Sequence, residues 1–147
     1  MVDNELEKIR REKHRQYLQD ETNTSQSKFP SGKAVDVTDA DFDEYVNQQR
    51  IVIVDCWAAW CGPCRSMAPV MEQIAKDMQE KVSVGKLNVD QNRRTAMRYN
   101  VSSIPNFLVF HNGKFLGNVV GAVGKAPFDK LIKQILSGEF EKKEGYA

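Results

Sequence analysis

The apolar run from Ile51 to Trp57, interrupted only by Asp55 and followed at once by Trp60-Cys61-Gly62-Pro63-Cys64, narrows the possible folds of this chain more than any other stretch. A run that apolar reads as a central strand covered on both faces by helices. From about Cys61 to Met78 the apolar spacing becomes helical, with Met67, Val70, Met71 and Ile74 on one face. The two thiols therefore fall at a strand-to-helix junction. A helix beginning at Cys61 surrounds the first sulfur with unpaired N–H groups and the positive end of its dipole, which stabilises a thiolate there. Cys64 lies on the same face, its Cβ roughly 5–6 Å away, so a modest rotamer change closes a disulfide. Cys61 is expected to attack and Cys64, deeper in the turn and more buried, to resolve. Gly62 leaves room for a substrate backbone, and Pro63 fixes φ in a first turn where its missing N–H costs little.

The rest of the chain supports an α/β domain. Ala34 to Val37 alternates like a short edge strand, and Thr38 or Asp39 can cap a helix running to about Gln49. Val82 to Val89 alternates as a strand, and Arg93 to Tyr99 forms a short helix. Pro69 should kink the helix that contains it. Asn106 to Phe110 and Phe115 to Val120 read as a hairpin turned at Asn112-Gly113. Pro127 starts a last helix striped by Phe128, Leu131, Ile132 and Ile135, and Gly138 ends it. The order β-α-β-α-β-α-β-β-α predicts a central mixed β-sheet flanked by helices on both faces.

The 147 residues suit one domain with an appendage, divided as an extension over 1–32, a folded domain over 33–140 and a tail over 141–147. A net charge of +1 argues against nucleic-acid or membrane partners. No apolar stretch approaches the ~18 residues that span a bilayer. The first residues carry neither an apolar secretory core nor the acid-poor composition of a transit peptide, so a cytoplasmic location is expected. Three cysteines are too few for a disulfide scaffold. A zinc site would need four ligands. Yet there is one Cys-x-x-Cys, Cys56 lies in a strand pointing away, and His14 and His111 are remote in sequence, so no metal is expected. In the extension, Lys8, Arg10, Arg11, Lys13 and Arg15 alternate with Glu5, Glu7 and Glu12, the pattern of a solvated helix, with self-association or partner binding as the alternative.

Asp55 is an acid inside an apolar strand, so burial should raise its pKa and suit it to take a proton from Cys64. Lys86, in an alternating strand, is placed to approach Asp55 and tune its charge. No glycine-rich nucleotide motif or other cofactor signature occurs, so no cofactor is expected and a separate reductase must regenerate the dithiol.

Several separate motifs resemble the thioredoxin family: VDCWAAWCGPC over Val54 to Cys64, Ala68-Pro69, KLNVD over Lys86 to Asp90, Ile104-Pro105, Asn112-Gly113 and Val120-Gly121-Ala122. The resemblance covers about Val35 to Leu136. It implies the thioredoxin fold and the reduction of disulfides in partner proteins, with a thioredoxin reductase as electron donor and a monomeric state. It implies a cis Ile104-Pro105 bond beside the cysteines, with Pro105 keeping metal from the thiols. It also implies a flat docking surface made of Trp60, Gly62, Pro63, Val89, Ile104, Pro105, Val120, Gly121 and Ala122, with Trp57 packed beneath. The chain departs from the family pattern at Cys56, read as a small buried hydrophobe, at Ala59, often acidic, and at Ser103, often glycine. A disulfide oxidase or isomerase, and a binding scaffold guided by residues 1–32, are the alternatives. The Gly-Pro between the cysteines speaks against the first.

Overall fold

The computed structural model describes residues 29–139. The chain divides at Pro30–Ser31, and the fold described here belongs to the second unit. The expectations for residues 1–28 and 140–147 lie outside the described residues.

The elements follow the predicted order: β1 (Val35–Asp36), α1 (Phe42–Val46), β2 (Ile51–Trp57), α2 (Gly62–Asp77), β3 (Val82–Asn88), α3 (Arg93–Arg98), β4 (Asn106–His111), β5 (Lys114–Val120) and α4 (Ala126–Leu136). The five strands form one sheet in the order β1-β3-β2-β4-β5. β2 and β1 each pair with β3 in parallel, while β4 pairs antiparallel with β2 and with β5. The fold is thus the expected mixed α/β sheet.

Alternation along the strands sorts side chains between two faces. On one face Ile51, Ile53, Val82, Val84, Phe107 and Val109 pack against Met67, Met71 and Ile74 of α2 and Phe128, Ile132 and Ile135 of α4. Phe107 and Phe128 meet edge to face, with centroids 4.9 Å apart. On the other face an aromatic group of Phe42, Tyr99, Phe110 and Phe115 joins α1 and the end of α3 to the sheet. The most apolar stretch, β2, is sandwiched between the two layers, as its composition demands.

Turn chemistry holds as read. Asn112 and Gly113 both take positive φ, 51° and 83°, the geometry a two-residue hairpin of matching twist requires. Pro69 lies inside α2. Its ring removes the N–H that would have donated to the Arg65 carbonyl.

The first helix is shorter than expected. The helix predicted from Thr38 or Asp39 to about Gln49 is only the five residues Phe42–Val46, with Asp41 at its N-cap position. Asp39 is engaged elsewhere. Its carboxylate accepts the Thr95 backbone N–H at 2.9 Å and the Thr95 hydroxyl at 2.6 Å, and so caps α3. In return the Asp39 N–H donates to the Asn92 side chain at 2.9 Å. Those hydrogen bonds hold the Asp39 carboxyl below its ordinary pKa, although its partial burial works against them more strongly than any single one of them.

Candidate active site

The chain leaves β2 at Trp57, turns through Ala58 to Trp60, and enters α2 at Gly62. Cys61 is the N-cap residue, with extended backbone (φ −91°, ψ 107°), and its N–H donates to the Ala58 carbonyl at 3.1 Å. At such a position the side chain meets the unpaired donors of the first turn. The Cys61 Sγ accepts the backbone N–H of Cys64 at 3.2 Å. Pro63 has no N–H to offer, so Cys64 supplies the donor that reaches the sulfur. The helix thus begins one residue later than expected, and Cys61 caps it.

Cys61 and Cys64 form a disulfide across 5.3 Å between Cα atoms. Both are buried, at 4% and 3% exposure, so the expectation of a distinctly deeper Cys64 is not met. What separates the two sulfurs is position along the helix: Cys61 stands at its mouth and Cys64 within its first turn. With Ala58 they form a small cluster packed by Trp57, Val89 and Ile104. Gly62 and Pro63 are exposed, and a Cβ added at Gly62 would meet nothing within 4 Å.

Asp55 is 1% exposed, and its Oδ1 has no hydrogen-bond partner. Burial pushes its carboxyl up to about 7, with the charge of Lys86 pulling the other way. Asp55 shares a sheet face with Ile51 and Ile53, and therefore with α2. Lys86 is its register partner on β3. The Lys86 ammonium lies over the Trp57 ring, 4.8 Å from the centroid.

The residues expected to form a docking surface divide into rim and support. Trp60, Val120 and Ala122 are exposed, and Val89, Ile104 and Gly121 are half-buried. Pro105 is buried, so it lies beneath the surface instead of forming part of it. Ile104–Pro105 is a cis peptide bond. The Val89 N–H donates to the Trp57 carbonyl at 2.9 Å, and the Gly121 N–H donates to the Pro105 carbonyl at 2.8 Å. Gly121 takes a φ of 99°, which favours glycine. Cys56 occupies the opposite sheet face from Asp55 and is buried with a free thiol. Burial, and after it the charge of Asp55, pushes that thiol up to about 12.

Sequence reasoning assigned no role to Asp90. Its carboxylate accepts the Trp60 indole N–H at 2.9 Å. Asn88 shapes that turn, its side-chain oxygen accepting the N–H groups of Asp90 at 2.9 Å and Gln91 at 3.3 Å. Only the acidic end of the KLNVD motif hinted at this. Among the described residues no group of three or more His, Cys, Asp or Glu is placed to hold a metal ion.

Residues 33–135 match the model of the family described as Thioredoxin. A thioredoxin of Staphylococcus aureus is 49% identical over 102 residues, covering 69% of this chain and 97% of that protein. Thioredoxin 2 of Chlorobaculum tepidum is 45% identical over 105 residues, covering 71% and 96%. Among solved structures, a mutant thioredoxin from Halobacterium salinarum NRC-1 superposes with a TM-score of 0.66 at 28% identity, over 71% of this chain and 91% of that one.

Proposed function

This chain belongs to the thioredoxin family, and from that premise we propose how its own residues divide the work of dithiol–disulfide exchange. The protein is a thiol–disulfide oxidoreductase that reduces disulfides in partner proteins. The Cys61 thiolate attacks one sulfur of a partner disulfide. A mixed disulfide forms, and the partner's other sulfur leaves as a thiolate. Asp55, as carboxylate, takes the proton of the Cys64 thiol. The Cys64 thiolate then attacks Cys61 Sγ, and the partner leaves with both sulfurs reduced. The two electrons come from the dithiol, which becomes the Cys61–Cys64 disulfide. Lys86 tunes Asp55 through its charge.

The observation that carries this division is the hydrogen bond from the Cys64 N–H to Cys61 Sγ at the start of α2. A backbone donor and the helix dipole both favour negative charge on that sulfur. The apolar rim of Trp60, Gly62, Pro63, Val89, Ile104, Val120, Gly121 and Ala122, supported by Pro105, is the surface on which this reading docks the partner chain. Reduction of insulin tests it. Cys61→Ser should abolish activity, and Cys64→Ser should accumulate a mixed disulfide on Cys61. Full activity in Cys61→Ser overturns the assignment.

Family membership implies disulfide-containing substrates and a reductase that restores the dithiol. A thioredoxin reductase is the donor in this reading, with no cofactor on the chain itself. The reading places the protein in the cytoplasm, where reducing equivalents keep such a dithiol supplied. No helix among the described residues is long and apolar enough to cross a membrane. The reading also takes the domain as a monomer spanning residues 33–140, with residues 1–32 as the segment for any association. Sedimentation of the full chain against one starting at Ser31 decides that point.

A further inference from the structure

Asp55 and Lys86 are register partners in adjacent parallel strands, and their side chains leave the sheet on the same face. A carboxylate and an ammonium so placed are natural ion-pair partners. The pair is not made. The Lys86 ammonium lies over the Trp57 ring, 4.8 Å from its centroid, while Asp55 Oδ1 has no hydrogen-bond partner. Trp57 follows Asp55 by two residues on β2, so its side chain leaves the same face. Asp36 of β1 flanks Lys86 in register on the other side, but it is exposed. Among the described residues neither acid forms an ion pair with Lys86.

On the same sheet face the core contacts are apolar: Met67, Met71 and Ile74 come from α2 and Phe128, Ile132 and Ile135 from α4, and the register partner of Asp55 on β4 is Phe107. Cys56 titrates from the opposite face. Lys86 thus stands in register with a buried acid and an exposed acid, and beside an indole. It takes the indole.

We propose that Trp57 is a positioning residue: its ring holds the Lys86 ammonium off Asp55 and so keeps that carboxyl free to take up and return a proton. The inference rests on the reading of Asp55 as the proton acceptor for Cys64. An ammonium against the carboxylate would hold it ionised and move its titration down by about one to three pH units. It would then be a poor base at neutral pH. Indole has the strongest ring quadrupole of the aromatic side chains, and a phenyl ring holds a cation less well.

The test follows the Asp55 carboxyl by carbon NMR as pH is varied, in the oxidised full-length protein. Trp57→Phe and Trp57→Leu are each compared with the same substitution in a Lys86→Met background. With Lys86 present, the Asp55 midpoint should fall by about one pH unit or more in Trp57→Leu and by less in Trp57→Phe. With Lys86→Met neither substitution should lower it. An unchanged midpoint in Trp57→Phe and Trp57→Leu overturns the proposal. So does a fall that persists in Lys86→Met, because water admitted to the site, not a released lysine, would then be the cause. If Trp57→Leu does not fold, Trp57→Phe with its Lys86→Met control decides the matter. The titration reads Asp55 whether or not it serves catalysis. Failure of the underlying reading shows separately, as unimpaired insulin reduction by Asp55→Asn.

Discussion

The indole N–H of Trp60 donates to the Asp90 carboxylate at 2.9 Å, while the ring itself stays 70% exposed. An exposed tryptophan ordinarily samples several rotamers. This one is tethered at its polar end, so its apolar face is presented beside Cys61 in one orientation. The tether comes from a different element, the turn after β3, which Asn88 shapes.

Asp90→Ala releases that tether without touching a sulfur. A net hydrogen-bond contribution of about 1 kcal/mol corresponds to a loss of roughly fivefold. The kcat/KM for a folded protein disulfide should fall by about that factor, while reduction of a small aromatic disulfide stays near the parent rate. Equal losses on both substrates would show that Asp90 acts on the thiols and not on docking.

Asp55 predicts a pH-dependent stability. Its folded pKa, about 7, lies above that of an ordinary carboxyl. The folded state therefore keeps a proton that the unfolded chain gives up in the acid range. The resulting stabilisation is complete below the ordinary carboxyl pKa and is lost as pH rises through about 7. Above that point the oxidised protein carries a buried charge. Asp55→Asn should then be the more stable protein, by on the order of 4 kcal/mol. Near pH ~4 the two should unfold alike. Denaturant titrations of both oxidised proteins at the two pH values check this, and equal stability in alkali contradicts it.

Cys56 should be chemically silent. A thiol pushed up to about 12 is almost wholly protonated at neutral pH. In the reduced, folded protein, iodoacetamide should modify Cys61 and leave Cys56 intact. After unfolding in guanidinium all three cysteines should react. Peptide mass mapping distinguishes the outcomes, and modification of Cys56 in the folded state at the rate of Cys61 would refute the prediction.

Gly85→Ala should destabilise the fold while sparing the chemistry. A Cβ there would lie 2.8 Å from Tyr45 Cε1 and 2.8 Å from Val37 Cγ2, both buried side chains. Overpacking of this kind costs about 1–3 kcal/mol. Gly85 pairs with Val54, one residue before Asp55, so it faces the opposite side of the sheet from the acid. The unfolding midpoint should drop, with kcat/KM at low temperature unchanged. A matched loss of kcat would indicate that the strain crosses the sheet.

Features set by local spacing were legible in the sequence. The apolar β2, the Asn112-Gly113 hairpin and the helix striped by Phe128, Ile132 and Ile135 follow from period and turn chemistry. So did the raised pKa of Asp55, since an acid within an apolar strand has little choice. What escaped was long-range partnership. Asp39 resembled a cap for the helix just after it and instead caps α3, whose Thr95 lies 56 positions on. The Trp60–Asp90 contact spans 30 positions. Lys86 stood beside Asp55 in register, as alternation suggested, but its choice of the Trp57 ring was set by packing that periodicity does not encode. The two thiols are nearly equal in burial because a neighbouring layer of Trp57, Val89 and Ile104 covers both.

The exchange between Asp39 and the Asn92–Thr95 turn has a consequence for how the molecule is assembled. α3 is six residues long, too short to persist as an isolated helix. Its first turn is completed by a residue that leaves the ribosome well before it. The clasp closes a loop that contains the whole dithiol segment, so its ends must meet before α3 is secured. A nascent chain released anywhere between Cys64 and Thr95 would carry both sulfurs and Asp39, but not the helix that Asp39 secures.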